Sequence, residues 1–410
     1  MIKLQTRPFK QNTMKIFKLL VILFLFAQMI YAQNVDDVII AKRIRINSAV
    51  LGEERTIFVS TPYDYASSTD SFPVLYVLDG CPEVINYTSG LVNNLSSYDL
   101  CPEMIIVAIE NTLRIRDMSP TKPKYDDKGV EIKYSGDEKL GEADKFLSFI
   151  ETELFPFIDK NYRTLPYRIF SGHSAGGMCV THAFLSHSNM FNAYIAISPS
   201  LYWDSNFLNR TAVEKIGSMN LKYRQYYFSI GGNETPSDIG DAHTFAQTLN
   251  LKSPTELKWK FDYIENEDHG SQATIALYNG LRFIYDGWNY DYDKMVAGGL
   301  SFINSFYQNL SERFGYEILP DGGTMNSIGW GVKRVGRHQE AIKILEENVH
   351  RHPKFPEAYS YLAEVYSSAG NYELAIKSIE KAIELATAQE DKSLERYKII
   401  LEKTIKASKK

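Results

Sequence analysis

Two uninterrupted apolar runs, Val74-Leu75-Tyr76-Val77-Leu78 and Ile105-Ile106-Val107-Ala108-Ile109, constrain the fold of this chain more than any other feature. Neither alternates with polar residues, so each predicts a strand covered on both faces, as in the middle of a parallel sheet. A helical stretch over 83–97 separates them. Further runs at 167–170, 194–197, 226–230 and 259–264 alternate with helical stretches around 144–160, 175–187, 241–250 and 272–285. Strand and helix in alternation predict an α/β fold, a mostly parallel sheet sandwiched by helices. Residues 38–40 and 55–60 read as a pair of edge strands ahead of it.

The run 167–170 leads through Ser171 into Gly172-His173-Ser174-Ala175-Gly176-Gly177 and an apolar helix. Between a strand and a helix, G-x-S-x-G describes a sharp elbow that exposes its serine, and the glycines avoid clashes in the turn. A serine hydroxyl is a weak nucleophile and needs a base, which in this arrangement follows it in the chain. His269, in Glu265-Asn266-Glu267-Asp268-His269-Gly270-Ser271 directly after the last predicted strand, is the candidate. His243 lies within a helical stretch and reads as structural. The acid that orients the base should follow the strand 226–230, where Gly231-Gly232-Asn233-Glu234 makes Glu234 the choice; Asp238, Asp241 or no acid at all remain open.

The helix start after Ser174 offers the Ala175 N–H to a developing oxyanion. A second donor should come from Asp79-Gly80-Cys81-Pro82, from the N–H of Gly80 or Cys81. No His-Glu-x-x-His, paired Cys-x-x-Cys, dinucleotide fingerprint or phosphate loop is present, so no metal and no cofactor is expected.

The chain has 410 residues, 45 Lys plus Arg against 50 Asp plus Glu, and no basic stripe before its extreme end, which gives no reason to expect nucleic-acid binding. Lys15 and Lys18, the apolar run 19–27 and Ile30-Tyr31-Ala32 predict a signal peptide over 1–32. The run is too short for a span, so no membrane helix is expected after cleavage. Residues 1–32 hold five of the basic residues and none of the acids, leaving an exported chain at a formal −10, periplasmic or extracellular. Cys81, Cys101 and Cys179 read as free thiols, the first two too far apart to bridge. The polar stretch between Asp117 and Asp144, without periodicity, reads as a lid or binding loop, or else as a mobile segment.

Beyond residue 320 a 34-residue offset appears: Gly336 and Gly370, Ala341-Ile342-Lys343 and Ala375-Ile376-Lys377, Leu345 and Ile379, Gly329 and Ala363. The pattern resembles tetratricopeptide repeats, though Asn348 stands where a small apolar residue is preferred, and implies a small C-terminal all-α repeat domain. The expected organisation is a signal peptide 1–32, an α/β-hydrolase domain 33–292, a connecting helical segment 293–320, a repeat pair 321–390 and a basic tail 391–410, read as a solvated helix end.

Over about 40–290 the chain resembles the Putative esterase family of the α/β-hydrolases, which includes siderophore esterases, feruloyl esterases and S-formylglutathione hydrolase. The resemblance rests on Leu75-Tyr76-Val77-Leu78-Asp79-Gly80, on Asn111-Thr112-Leu113-Arg114-Ile115-Arg116-Asp117, on Gly172-His173-Ser174-Ala175-Gly176-Gly177, on Ser198-Pro199-Ser200-Leu201-Tyr202-Trp203 and on Asp268-His269-Gly270. It implies Ser174 as nucleophile, His269 as base, an oxyanion hole shaped by Gly80, Cys81 and Ala175, and Arg114, Arg116 and Trp203 beside the substrate. For the arginines and the tryptophan, an ion pair with Asp117 and an aromatic core position are the competing readings. The expectation is a secreted serine carboxylic ester hydrolase working through an acyl-enzyme, siderophore-esterase-like. The alternatives are a feruloyl or acetyl esterase of carbohydrate, or a non-catalytic protein using the repeats. Its partners would be a small-molecule or glycan-linked ester and a protein bound through the repeats.

Overall fold

A computed structural model describes residues 38–409 apart from 64, 67–69, 127–128 and 135–137. The signal-peptide stretch 1–32 lies outside the described residues. In chain order the elements are β1 (Lys42–Ser48), β2 (Glu53–Ser60), β3 (Phe72–Val77), α1 (Pro82–Ser97), β4 (Ile105–Ile109), α2 (Arg114–Met118), α3 (Ala143–Phe149), α4 (Phe155–Asn161), β5 (Thr164–His173) and α5 (Ala175–Ser186). They continue with β6 (Ala193–Ile197), α6 (Trp203–Lys215), β7 (Gln225–Gly231), α7 (Pro236–Lys252), β8 (Lys258–Ile264) and α8 (Gln272–Ile284). Six helices complete the chain: α9 (Tyr292–Phe314), α10 (Gly322–Arg334), α11 (His338–Arg351), α12 (Pro356–Ser368), α13 (Tyr372–Ala388) and α14 (Leu394–Ser408).

The strands form one sheet in the order β1-β2-β4-β3-β5-β6-β7-β8. β1 and β2 pair antiparallel, β2 meets β4 antiparallel, and every remaining pair is parallel. The apolar runs are the buried strands: every residue of β3, β4, β6 and β7 is buried. One core layer joins α3, α5 and α7 to the sheet through Phe146, Phe184 and Phe245; the other joins α1 and α8 through Val92 and Leu281.

Three local readings change. The first strand is Lys42–Ser48, not 38–40, where Val38 and Ile39 are exposed. Its alternation, with only Ile44 and Ile46 packing on the core, is the mark of an edge strand, and a short apolar run masked it. The helix around 241–250 begins at Pro236, because Thr235 caps it by accepting the Asp238 N–H. The helix over 144–160 is interrupted by a π-turn at Ile150–Leu154, since Pro156 has no N–H to continue the ladder.

α9 belongs to two cores. Leu310 and Phe314 pack with Tyr285 beneath the sheet, while Met295 and Ile303 pack with Ile328 and Leu345 of the repeat helices. Asn348 is fully buried and donates to the Gly322 carbonyl (2.9 Å) and the Asn326 side chain (2.8 Å), which explains a polar residue at that position. The basic C-terminal stretch is a packed helix: Tyr397 and Leu401 of α14 lie against Ile379 and Ala382 of α13.

Candidate active site

β5 ends at His173 and α5 begins at Ala175, so Ser174 makes the whole turn, at φ 61° and ψ −118°. Such a backbone costs about 1–3 kcal/mol in a non-glycine residue and persists only where its surroundings dictate it. Gly172 is one of those surroundings: a Cβ there would lie 2.6 Å from the carbonyl of Gly176. The Ser174 N–H donates to Ile197 O across to β6, fixing the elbow to the neighbouring strand.

The C-terminal ends of β6, β7 and β8 supply the rest, as expected at the carboxyl edge of an open parallel sheet. Glu234 follows β7 and turns its carboxylate back, accepting the Gly231 N–H at 2.9 Å and Gln272 Nε2 at 2.5 Å. His269 follows β8 in a tight loop whose Asp268 carboxylate accepts the N–H groups of Gly270 and Ser271. His269 Nδ1 lies 2.7 Å from Glu234 Oε2. The Glu234 side chain is 3% exposed and that of His269 is 49%. The Glu234 hydrogen bond raises the His269 pKa against the opposing effect of burial. For Glu234 itself, burial pushes upward, but the hydrogen bonds from His269, Ser198 and Gly231 together hold the carboxyl below its usual range. With Nδ1 committed to Glu234, Nε2 is the ring nitrogen left to take a proton. Ser174 and His269 line one cleft of about 410 Å³ together with Ser198, Tyr202, Asn233 and Asp238.

Asp238 lines the cleft as well, but its carboxylate accepts the Thr235 hydroxyl at 2.6 Å at the start of α7. Asp241 lines an adjoining chamber. Of the three candidate acids, Glu234 is the one hydrogen-bonded to His269. His243 packs its ring at 5.1 Å from Phe261 and is not among the residues that line the cleft.

The two oxyanion candidates after β3 separate. Gly80 donates its N–H to Ile109 O at 2.7 Å, which commits that group and leaves Cys81 as the remaining candidate of the two. The loop abuts the start of α5, since a Cβ on Gly176 would lie 3.2 Å from Asp79 Oδ2. Ala175, in the first turn of α5, has no intrahelical acceptor for its N–H. The Cys81 thiol is pushed up by burial, which keeps it protonated and unsuited as a nucleophile.

The residues expected beside substrate behave differently from one another. Arg114 grips Asp79 with two hydrogen bonds, Nε to Oδ1 at 2.6 Å and Nη2 to Oδ2 at 2.9 Å, and also donates to His173 O. Arg116 is 5% exposed and bonds to Glu53 and Asp117, both of which also bind the buried Arg55. That is the ion-pair reading, and it leaves Arg116 no contact with the cleft. Trp203 donates Nε1–H to Thr121 O at 3.1 Å, tying the start of α6 to the long loop 117–144.

Sequence reasoning gave no role to Ser198, His173 or Gln272. His173 donates Nε2–H to the His269 carbonyl at 2.6 Å, with the two rings 4.7 Å apart. Burial, and then the nearby His269, lower its pKa. Ser198 directly follows β6, which lies between the strands that lead to Ser174 and Glu234, and that position was the available signal. A separate trio, Asp144, His182 and His187, brings two imidazole Nε2 atoms within 2.7 and 2.9 Å of one carboxylate oxygen. A metal bound at His182 Nε2 would require an acceptor for its Nδ1–H, and Nδ1 is buried without one. The trio therefore fits a hydrogen-bonded clamp between α3 and α5.

Residues 48–275 match a family model described as Putative esterase, and residues 334–393 match one for a tetratricopeptide repeat. The siderophore triacetylfusarinine C esterase of Aspergillus fumigatus is 28% identical over 271 residues, 58% of this chain and 90% of the relative. The ferri-bacillibactin esterase BesA of Bacillus subtilis is 41% identical over 150 residues, 35% of this chain and 52% of BesA. Among solved structures, an IroE-like serine hydrolase from Shewanella oneidensis superposes with a TM-score of 0.65 at 28% identity, covering 76% of this chain and 99% of that one.

Proposed function

The chain belongs to the Putative esterase family, and from that premise we propose that it is an exported serine hydrolase cleaving siderophore-type carboxylic esters through an acyl-enzyme on Ser174. The observation that carries this reading is the 2.7 Å contact between His269 Nδ1 and Glu234, in a cleft that Ser174 shares. Ser174 Oγ attacks the ester carbonyl as His269 Nε2 takes its proton, and Glu234 holds Nδ1–H and the imidazolium that results. The N–H groups of Ala175 and Cys81 face the oxyanion. His269 returns the proton to the leaving alcohol, and a water activated in the same way releases the acid.

The substrate class follows from the two siderophore esterases to which the chain is similar. Export rests on the basic and apolar N-terminal pattern; no helix among the described residues is long and apolar enough to cross a membrane. A fluorophosphonate tests the nucleophile. The wild-type protein should label and Ser174→Ala should not, whereas unchanged labelling of Ser174→Ala would refute the assignment.

A further inference from the structure

Ser198 is held in a conformation that serine ordinarily avoids. Its φ is 40°, in the left-handed region where glycine is the favoured residue. The side chain so placed has its Oγ 2.7 Å from both oxygens of the Glu234 carboxylate and 3.0 Å from His269 Nδ1. We propose that Ser198 is a positioning residue of the catalytic machinery, whose hydroxyl donates to Glu234 and so limits how strongly that carboxylate draws a proton onto His269.

The proton count fixes the direction of the hydrogen bond. For Nε2 to accept from Ser174, the neutral His269 must carry its proton on Nδ1, and that N–H is directed at Glu234 Oε2. Ser198 cannot then donate to Nδ1, so its single proton goes to the carboxylate. Glu234 is nearly shut off from solvent. Its charge is stabilised by the donors Gly231 N–H, Gln272 Nε2, Ser198 O–H and His269 Nδ1–H. Remove one of these donors from a carboxylate so little exposed, and it becomes more basic and holds the imidazolium more tightly. Other charged groups face the pair: Asp238 on α7, Arg114 on α2, and His173 and Asp268 beside His269. None of these bonds to the Glu234 carboxylate. Ser198 is thus the hydroxyl through which the end of β6 adjusts a base contributed by the loop after β8.

This inference rests on the reading of Ser174, His269 and Glu234 as the catalytic set, and the test separates the two. Ser198→Ala removes the hydroxyl and keeps the strained backbone, whereas Ser198→Gly removes the hydroxyl and relieves the strain. Hydrolysis of p-nitrophenyl butyrate is followed from pH 5 to 9, alongside Tm and fluorophosphonate labelling. Both variants should move the acidic limb of kcat/KM upward by roughly one pH unit. Labelling should persist at pH 9, and Ser198→Gly should melt no lower than wild type. An acidic limb that stays in place in both variants, whether or not activity falls, overturns the inference and leaves the catalytic reading intact. Loss of that reading would show instead as turnover or labelling in Ser174→Ala.

Discussion

Arg114 clamps Asp79 through Nε and Nη2 of its guanidinium, and Asp79, at φ 59°, lies against Gly176 just after the Ser174 turn and precedes Gly80 and Cys81. Asn111 adds a third donor to the same carboxylate at 2.5 Å. An arginine expected beside substrate therefore holds the loop after β3, where the proposed oxyanion donor Cys81 lies. A lysine cannot reproduce the bidentate fork. Arg114→Lys should lower kcat by on the order of 10²-fold with KM little changed, as for misplaced transition-state donors. Steady-state kinetics on a neutral ester would show it, and a change confined to KM would place Arg114 against the substrate instead.

Glu234→Gln keeps the size of the side chain but loses the charge that raises the His269 pKa. The raised pKa should fall back, so the acidic limb of the pH–rate profile moves to lower pH, opposite to the shift expected for Ser198 variants. The plateau should drop on the order of 10³-fold, because the amide no longer enforces the Nδ1–H tautomer. A pH profile of kcat/KM measures both effects.

The Glu53, Arg55, Arg116 and Asp117 cluster ties β2 to α2 beneath the site. The Arg116 hydrogen bond, opposed by burial and aided by Arg55, holds the Glu53 pKa at about 2. A depressed carboxyl contributes stability that is present above its ordinary value and lost as pH falls toward 2. Acid unfolding should therefore steepen between about pH 4.5 and 2. Arg116→Met leaves Glu53 and Asp117 short of a partner and should cost about 3–5 kcal/mol in urea denaturation. The acid limb of stability should weaken with it. Specific activity of the folded fraction should be retained, since Arg116 does not line the cleft.

Glu234, Asp238 and Asp268 line the cleft, Asp241 lines the chamber beside it, and among the described residues neither is lined by lysine or arginine. Such a mouth repels anionic acyl groups. p-Nitrophenyl butyrate should outpace p-nitrophenyl hemiglutarate by about 10-fold in kcat/KM, and added salt should narrow the gap. Equal rates at low salt would show that the acids do not govern entry.

The sheet was legible in the sequence because unbroken apolar runs such as 105–109 have no other economical fate than a strand buried on both faces. The elbow was legible because its glycines and serine must be contiguous. His269 and Glu234 could be singled out by chain order, each falling in a loop after a strand. What the sequence could not decide depends on contacts between segments far apart in the chain. The Gly80 N–H is taken by Ile109, Arg114 turns to Asp79 while Arg116 sinks into an ion cluster, and Ser198 reaches Glu234 and His269. Local composition records which strands and turns a segment prefers. Only the packing of parallel strands side by side decides which donor meets which acceptor at their ends.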